Sequence, residues 1–101
     1  MWLIIWRYKI KPTSRQKFYE YYNENGRWVW LFRKHPGYII TKLYQDQHDS
    51  CIFLTFDYWR SLKDFELFKQ DYAIEYQKID DDSNSLTETE QLVIAAEVNL
   101  L

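Results

Sequence analysis

Trp2-Leu3-Ile4-Ile5-Trp6-Arg7-Tyr8-Lys9-Ile10, stopped by Lys11-Pro12, is the stretch whose reading decides the fold. Its β-branched and aromatic content, its length and the proline that closes it make it a strand. Trp2, Ile4, Trp6, Tyr8 and Ile10 form one wholly apolar face. The opposite face begins apolar, at Leu3 and Ile5, and turns cationic at Arg7 and Lys9. A strand in an antiparallel sheet that is covered on one side alternates apolar and polar residues. This one does not, and neither do Cys51-Ile52-Phe53-Leu54-Thr55-Phe56 and Leu92-Val93-Ile94-Ala95-Ala96. A sheet built from these segments needs cover on both faces.

Outward from that strand the chain alternates. Thr13 or Ser14 can cap a helix carrying Phe18 and Tyr22, ended by Asn25-Gly26, and a second short piece over Arg27–Lys34 places Trp28, Leu31 and Phe32 on one face. His35-Pro36-Gly37 stops it. Tyr38–Tyr44 and Cys51–Trp59 read as a hairpin around the polar loop 45–50. Ser61 with Asp64 caps the longest amphipathic helix, through Leu62, Phe65, Phe68, Tyr72, Tyr76 and Ile79, which Asp80-Asp81-Asp82 is expected to break. Gln91–Val98 is the last strand. The order is β-α-β-β-α-β, an α+β ferredoxin-like sandwich with a four-stranded antiparallel sheet. Helices from one chain cover one sheet face. The other is an apolar patch, and the expected partner is a second copy, a homodimer through the open sheet face.

The 101 residues make one domain, 1–101, and the 47% hydrophobic and 20% aromatic content excludes wholesale disorder. One cysteine excludes an intrachain disulfide framework. The start of the chain lacks the basic segment of a signal peptide, and its apolar run is too short to span a bilayer, so a cytoplasmic protein with no membrane partner is expected. A net charge of −2 argues against nucleic-acid binding, as does the third strand, which lacks the basic residue and glycine of an RNA-recognition signature. Residues 1–45 hold 9 Lys+Arg and 2 Asp+Glu, whereas residues 46–101 hold 4 and 13. A basic first helix beside an acidic second one is therefore expected to attract it.

Chemistry-bearing motifs are few. His35 reads as a turn and helix-end residue, His48 as a loop residue, and Cys51 as a small strand residue. Asp80-Asp81-Asp82 lacks the spaced partners of a metal site, so neither metal nor cofactor is expected. Arg7, on the face opposite Trp6, is read as making an interface ion pair with Asp57. Trp6 and Tyr8, if their side of the strand meets the helices, line a pocket with Trp28, Phe32, Phe68 and Tyr72. Such a flat apolar cavity suits a small aromatic ligand. No nucleophile–base set emerges, and the catalytic residues stay unassigned.

Lys11-Pro12, Phe18, the run Phe32-Arg33-Lys34-His35-Pro36-Gly37-Tyr38, and Phe53-Leu54-Thr55-Phe56-Asp57-Tyr58-Trp59-Arg60-Ser61 followed by Phe65 and Phe68 together resemble the antibiotic biosynthesis monooxygenase family, of the dimeric α/β-barrel superfamily. The resemblance spans about residues 2–98. It implies ferredoxin-like protomers paired into a barrel, and a pocket between sheet and helices. Characterised relatives include cofactor-independent monooxygenases that oxidise polycyclic phenols with O₂, and haem-degrading enzymes. The haem-degrading branch uses an Asn on strand one, then a Trp and a His on the second helix. Trp6, Phe68 and Lys78 stand at those positions here, which argues against that activity. The resemblance implies a cofactor-independent monooxygenase acting on a small aromatic or polyketide-like substrate. The alternative is a catalytically silent ligand-binding or structural dimeric α/β-barrel protein.

Overall fold

The computed structural model describes residues 1–99. Four strands, β1 (Trp2–Ile10), β2 (Tyr38–Gln45), β3 (Ile52–Trp59) and β4 (Thr87–Glu97), form one antiparallel sheet in the order β2-β3-β1-β4. Four helices, α1 (Arg15–Tyr22), α2 (Arg27–Phe32), α3 (Leu62–Asp71) and α4 (Ala73–Ser83), lie between the strands in sequence. The even face of β1 is the helix-facing side, because Ile4, Tyr8 and Ile10 are buried there with Phe53, Thr55, Asp57 and Trp59 of β3. This is the α+β ferredoxin-like sandwich expected from the strand and helix order. Among the described residues no helix is long and apolar enough to cross a membrane.

Strand register arranges the helix-facing side chains in cross-strand rows. Trp2, Trp59 and Tyr38 make one, Ile4, Asp57 and Thr41 the next, Trp6, Thr55 and Leu43 the third, and Tyr8 with Phe53 the fourth. A large row is followed by a small one. Over the first row Trp59 is fully buried against Phe68, Phe65, Phe32 and Tyr38, with ring centroids 4.9–5.5 Å apart.

The helical layer departs from its sequence reading in two places. The expected single helix through Ile79 is broken at Tyr72, where φ −117° and ψ 30° separate α3 from α4. No Pro or Gly marks the break. Phe68 is fully buried, whereas the Tyr72 hydroxyl donates to the Lys34 carbonyl at the surface (3.3 Å). Asp80-Asp81-Asp82 does not end the helix either, and α4 continues through Ser83. Acidic residues in a last turn oppose the helix dipole. Here the turn is pinned by the buried Ser83 hydroxyl, which donates to the Ile79 carbonyl (2.8 Å) and accepts from the Tyr22 hydroxyl (3.3 Å). The Ser61 cap forms as expected, accepting from Asp64 N–H at 3.1 Å.

The expected charge attraction between helices takes another form. Among the described residues the ion pairs are Met1–Glu97, Lys17–Glu20 and Arg60–Asp64, and none joins the first helical pair to the second. Aromatic contact does that work: Trp28 meets Tyr76 at 5.0 Å and Phe32 meets Phe68 at 5.4 Å.

On the far side of the sheet, Leu3, Ile5, Leu54, Phe56 and Tyr58 are only half-buried, and Ile40, Tyr44 and Ile94 are exposed. That face is the apolar one which the double-sided pattern of β1 and β3 called for.

Candidate functional site

A cavity of about 400 Å³ opens between sheet and helices. Its floor is the small row and its neighbour: Ile4, Thr41, Asp57 and Thr55. Because these side chains are short, the helices resting on the taller Trp59 and Tyr8 rows bridge over them and leave space. Aromatic walls come from both layers. Trp6 and Tyr8 rise from β1, Tyr22 descends from α1, Trp28 and Phe32 from α2, Phe65 from α3 and Tyr76 from α4. Lys69, Asp80 and Glu90 supply the remaining charges of the lining.

Of the six residues that sequence reading assigned to a pocket, Trp6, Tyr8, Trp28 and Phe32 line this cavity. Phe68 and Tyr72 do not. Phe68 has no exposed surface and packs under Trp59, and Tyr72 lies on the turn between α3 and α4 with its hydroxyl on Lys34. The helix break accounts for the difference: it carries Tyr72 off the face that a continuous helix would share with Tyr76.

Asp57 is the group that sequence reading misplaced. Arg7 is on the opposite face of the sheet and donates to Gln91 Oε1 at 3.3 Å, so no Arg7–Asp57 pair exists. Asp57 instead points under the helices, 8% exposed, and its Oδ1 accepts one hydrogen bond from Thr41 Oγ1 at 2.6 Å. Thr41 in turn accepts from the Tyr38 hydroxyl at 2.9 Å. Burial pushes the Asp57 carboxyl up to about 6, and the Thr41 bond holds it below what burial alone would give. A carboxyl in that range exchanges protons near neutrality, which is what a general base needs. The signal was present in the sequence: Asp57 shares parity with Phe53 and Trp59, the largest buried side chains of its strand.

The tyrosines around it are donors rather than bases. Burial raises Tyr8 well above the ordinary phenol, with further contributions from Tyr22, Asp57 and Glu90. It also lifts Tyr22 and Tyr76 to about 12 each. Glu90 is raised by partial burial and by Asp80. Two buried polar atoms of the lining residues, Trp28 Nε1 and Thr55 Oγ1, have no hydrogen-bond partner. Buried polar groups are normally paired, and the polar neighbours of these two are the Tyr22 hydroxyl for Trp28 and the Tyr8 hydroxyl for Thr55.

The histidines lie elsewhere. His35 Nδ1 accepts from Gly37 N–H at 3.0 Å and its ring packs beside Trp59 and Phe68, so it holds the turn into β2. His48 sits in the loop whose backbone Asp46 binds. Cys51 is a free, half-buried cysteine. A second hollow, of about 190 Å³, lies beside Glu24, Arg33, Tyr38 and Thr41.

No family model matches the chain, and no curated protein matches it. Solved structures do match. A protein from Deinococcus radiodurans assigned by name to the antibiotic biosynthesis monooxygenases superimposes with a TM-score of 0.73 at 14% identity, covering 100% of this chain and 95% of that one. One from Nitrosomonas europaea, assigned in the same way, gives 0.71 at 16% identity, covering 97% and 98%. SnoaB, a cofactor-independent oxygenase from Streptomyces nogalater, gives 0.68 at 12% identity, covering 96% and 94%. Identities this low speak to fold and leave chemistry to the site. The chain has the fold of the antibiotic biosynthesis monooxygenases.

Proposed function

We propose that this protein is a cofactor-independent oxygenase of a small hydroxylated aromatic substrate, with Asp57 as the general base. The observation that carries the reading is a buried, singly hydrogen-bonded carboxylate on the floor of an aromatic-walled cavity. The walls stack a planar ring and keep water away from it. Asp57 takes a proton from an activated ring CH₂ whose neighbouring phenol makes the resulting carbanion electron-rich. That carbanion gives its electrons to O₂ and a carbon–oxygen bond forms. Loss of water from the peroxide leaves a ring carbonyl, so one CH₂ and one O₂ become one C=O and one H₂O. Trp28 Nε1 and the neutral tyrosine hydroxyls are donors for the ring oxygens. SnoaB supports the reading as a structural neighbour that works without a cofactor.

Oxygen uptake by the purified, metal-free protein with an anthrone-type hydroxylated substrate tests this. Turnover whose rate rises with pH through about 6, and which Asp57→Asn lowers by about a hundredfold or more, is expected. Absence of uptake, or an Asp57→Asn protein of full activity, overturns it. Calorimetric binding of the same substrate without uptake would identify the silent ligand-binding protein instead.

The open sheet face carries the second part of the reading, a homodimer. Half-buried Leu3, Ile5, Leu54, Phe56 and Tyr58 beside exposed Ile40 and Ile94 favour a second copy packed sheet to sheet. Light scattering at micromolar concentration should give twice the 12.6 kDa chain mass, and a monomer would refute it.

A further inference from the structure

Charge in the cavity lining is lopsided. Asp57 stands on the floor, and Asp80 and Glu90 line the same space, against one lysine. That lysine is engaged: Lys69 Nζ lies 4.8 Å from the Tyr76 ring centroid and 5.8 Å from that of Phe65. Among the described residues neither Asp80 nor Glu90 has an ion-pair or side-chain hydrogen-bond partner. Even with Asp57 protonated, the lining holds two carboxylates to one ammonium. A negatively charged ligand would meet like charge where the dielectric constant is below that of water and every Coulomb term is strengthened.

These carboxylates do not make a metal site, because no three acidic, His or Cys side chains among the described residues gather closely enough to hold an ion. Their charge is spread around a wall of π faces, among them Trp6, Trp28, Tyr22 and Tyr76. Aromatic faces and dispersed carboxylates together suit an organic cation, which the ring quadrupoles and the acids both attract. Thr55 Oγ1, on a residue only 4% exposed, and Trp28 Nε1 make no hydrogen bond of good geometry within the chain, so both are polar contacts that a ligand in the lining can use.

We propose that this cavity selects an aromatic molecule bearing a protonated amine, with its ring between the aromatic walls and its ammonium at Asp80 and Glu90. The assignment rests on reading the cavity as the binding site and deepens the proposed oxygenation without depending on it. It also has a chemical use there. When Asp57 removes a proton, negative charge passes to the ring, and an ammonium on the same molecule offsets it inside an acidic cavity.

Titration calorimetry at neutral pH with naphthylethylamine, naphthylethanol and naphthylacetate tests the assignment, since the three share a ring and differ in charge. The amine should bind about tenfold more tightly than the alcohol, as a cation–π contact with charge pairing supplies, and the acetate most weakly. The double variant Asp80→Asn/Glu90→Gln should remove most of the amine's advantage, leaving only what Asp57 and the ring faces supply, and leave the alcohol unchanged. Asp82→Asn, an exposed acid outside the cavity lining, should keep the preference. Equal binding of amine and alcohol, tighter binding of the acetate, no heat from any of the three at millimolar concentration, or a preference that the double variant leaves undiminished overturns the proposal. Oxygen uptake is a separate readout, so amine selectivity without turnover condemns only the oxygenase reading, and turnover without selectivity only this one.

Discussion

Trp59 and Asp57 are two residues apart on one strand and face the same helices, yet one is sealed and the other fronts a cavity. The rows that flank them explain the difference. Trp59 stands between Trp2 and Tyr38, and its own ring meets Phe65 and Phe68 from the helical layer and is fully buried. Asp57 stands between Ile4 and Thr41, which are too short to reach the helices. An aromatic-rich chain thus uses the same residue types in two ways. At Trp59 they fill space, and around Asp57 they enclose it.

The largest test of that contrast exchanges the chemistry at Asp57. Asp57→Asn should lower oxygen uptake by about a hundredfold or more, the range of a lost general base. At neutral pH the same variant should be more stable than the parent. The Asp57 carboxyl, raised by burial to about 6, is protonated in both folded and unfolded chains at acid pH. As pH rises through the ordinary carboxyl range and then through 6, the unfolded chain ionises first and gains the advantage. The folded protein therefore loses about 3 kcal/mol, complete above pH 6–7, which asparagine does not lose. Urea midpoints of the two proteins should coincide near pH 4 and separate by pH 7. If they stay parallel, the carboxyl is not buried as described.

A matched pair of truncations comes next. Trp59→Ala should cost about 3–5 kcal/mol because it empties a filled site. Trp6→Ala removes a wall that already borders open space, so it should cost less than half as much while weakening ligand binding. Equal losses would mean that the cavity closes in solution.

A smaller effect is expected at Gly37. A Cβ there would fall inside the van der Waals shell of the Asp64 side chain at the start of α3. Gly37→Ala should lower stability by about 1–3 kcal/mol in a denaturant melt, with the ligand site intact.

The smallest effect is at Thr41. Thr41→Val removes the one bond that favours the ionised Asp57, so the acid limb of the rate profile should move to higher pH. A limb that stays in place would detach Thr41 from the base.

Much of this architecture was legible in the chain. The double-sided apolar pattern of Trp2-Leu3-Ile4-Ile5-Trp6 encodes a sheet buried on one face and apolar on the other, because strand parity is local and rigid. Parity also carried Trp6 and Tyr8 to the cavity. What parity cannot report is height across neighbouring strands. The gap over Asp57 depends on Ile4 and Thr41 lying beside it, a register that joins residues far apart in sequence. Helix periodicity failed at Tyr72 for a similar reason, since the break has no local breaker and what accompanies it is a long-range hydroxyl contact to the Lys34 carbonyl. Asp57 itself was read through its charge, toward Arg7, when its parity pointed to the other face.

Thr41 has one further consequence. It borders the aromatic cavity on one side and the small hollow beside Glu24 and Arg33 on the other. Its hydroxyl is bonded to Asp57 inward and to Tyr38 outward. Thr41 is therefore a party wall: a ligand that fills the aromatic side still leaves Asp57 tied through two hydroxyls to the edge strand on the other.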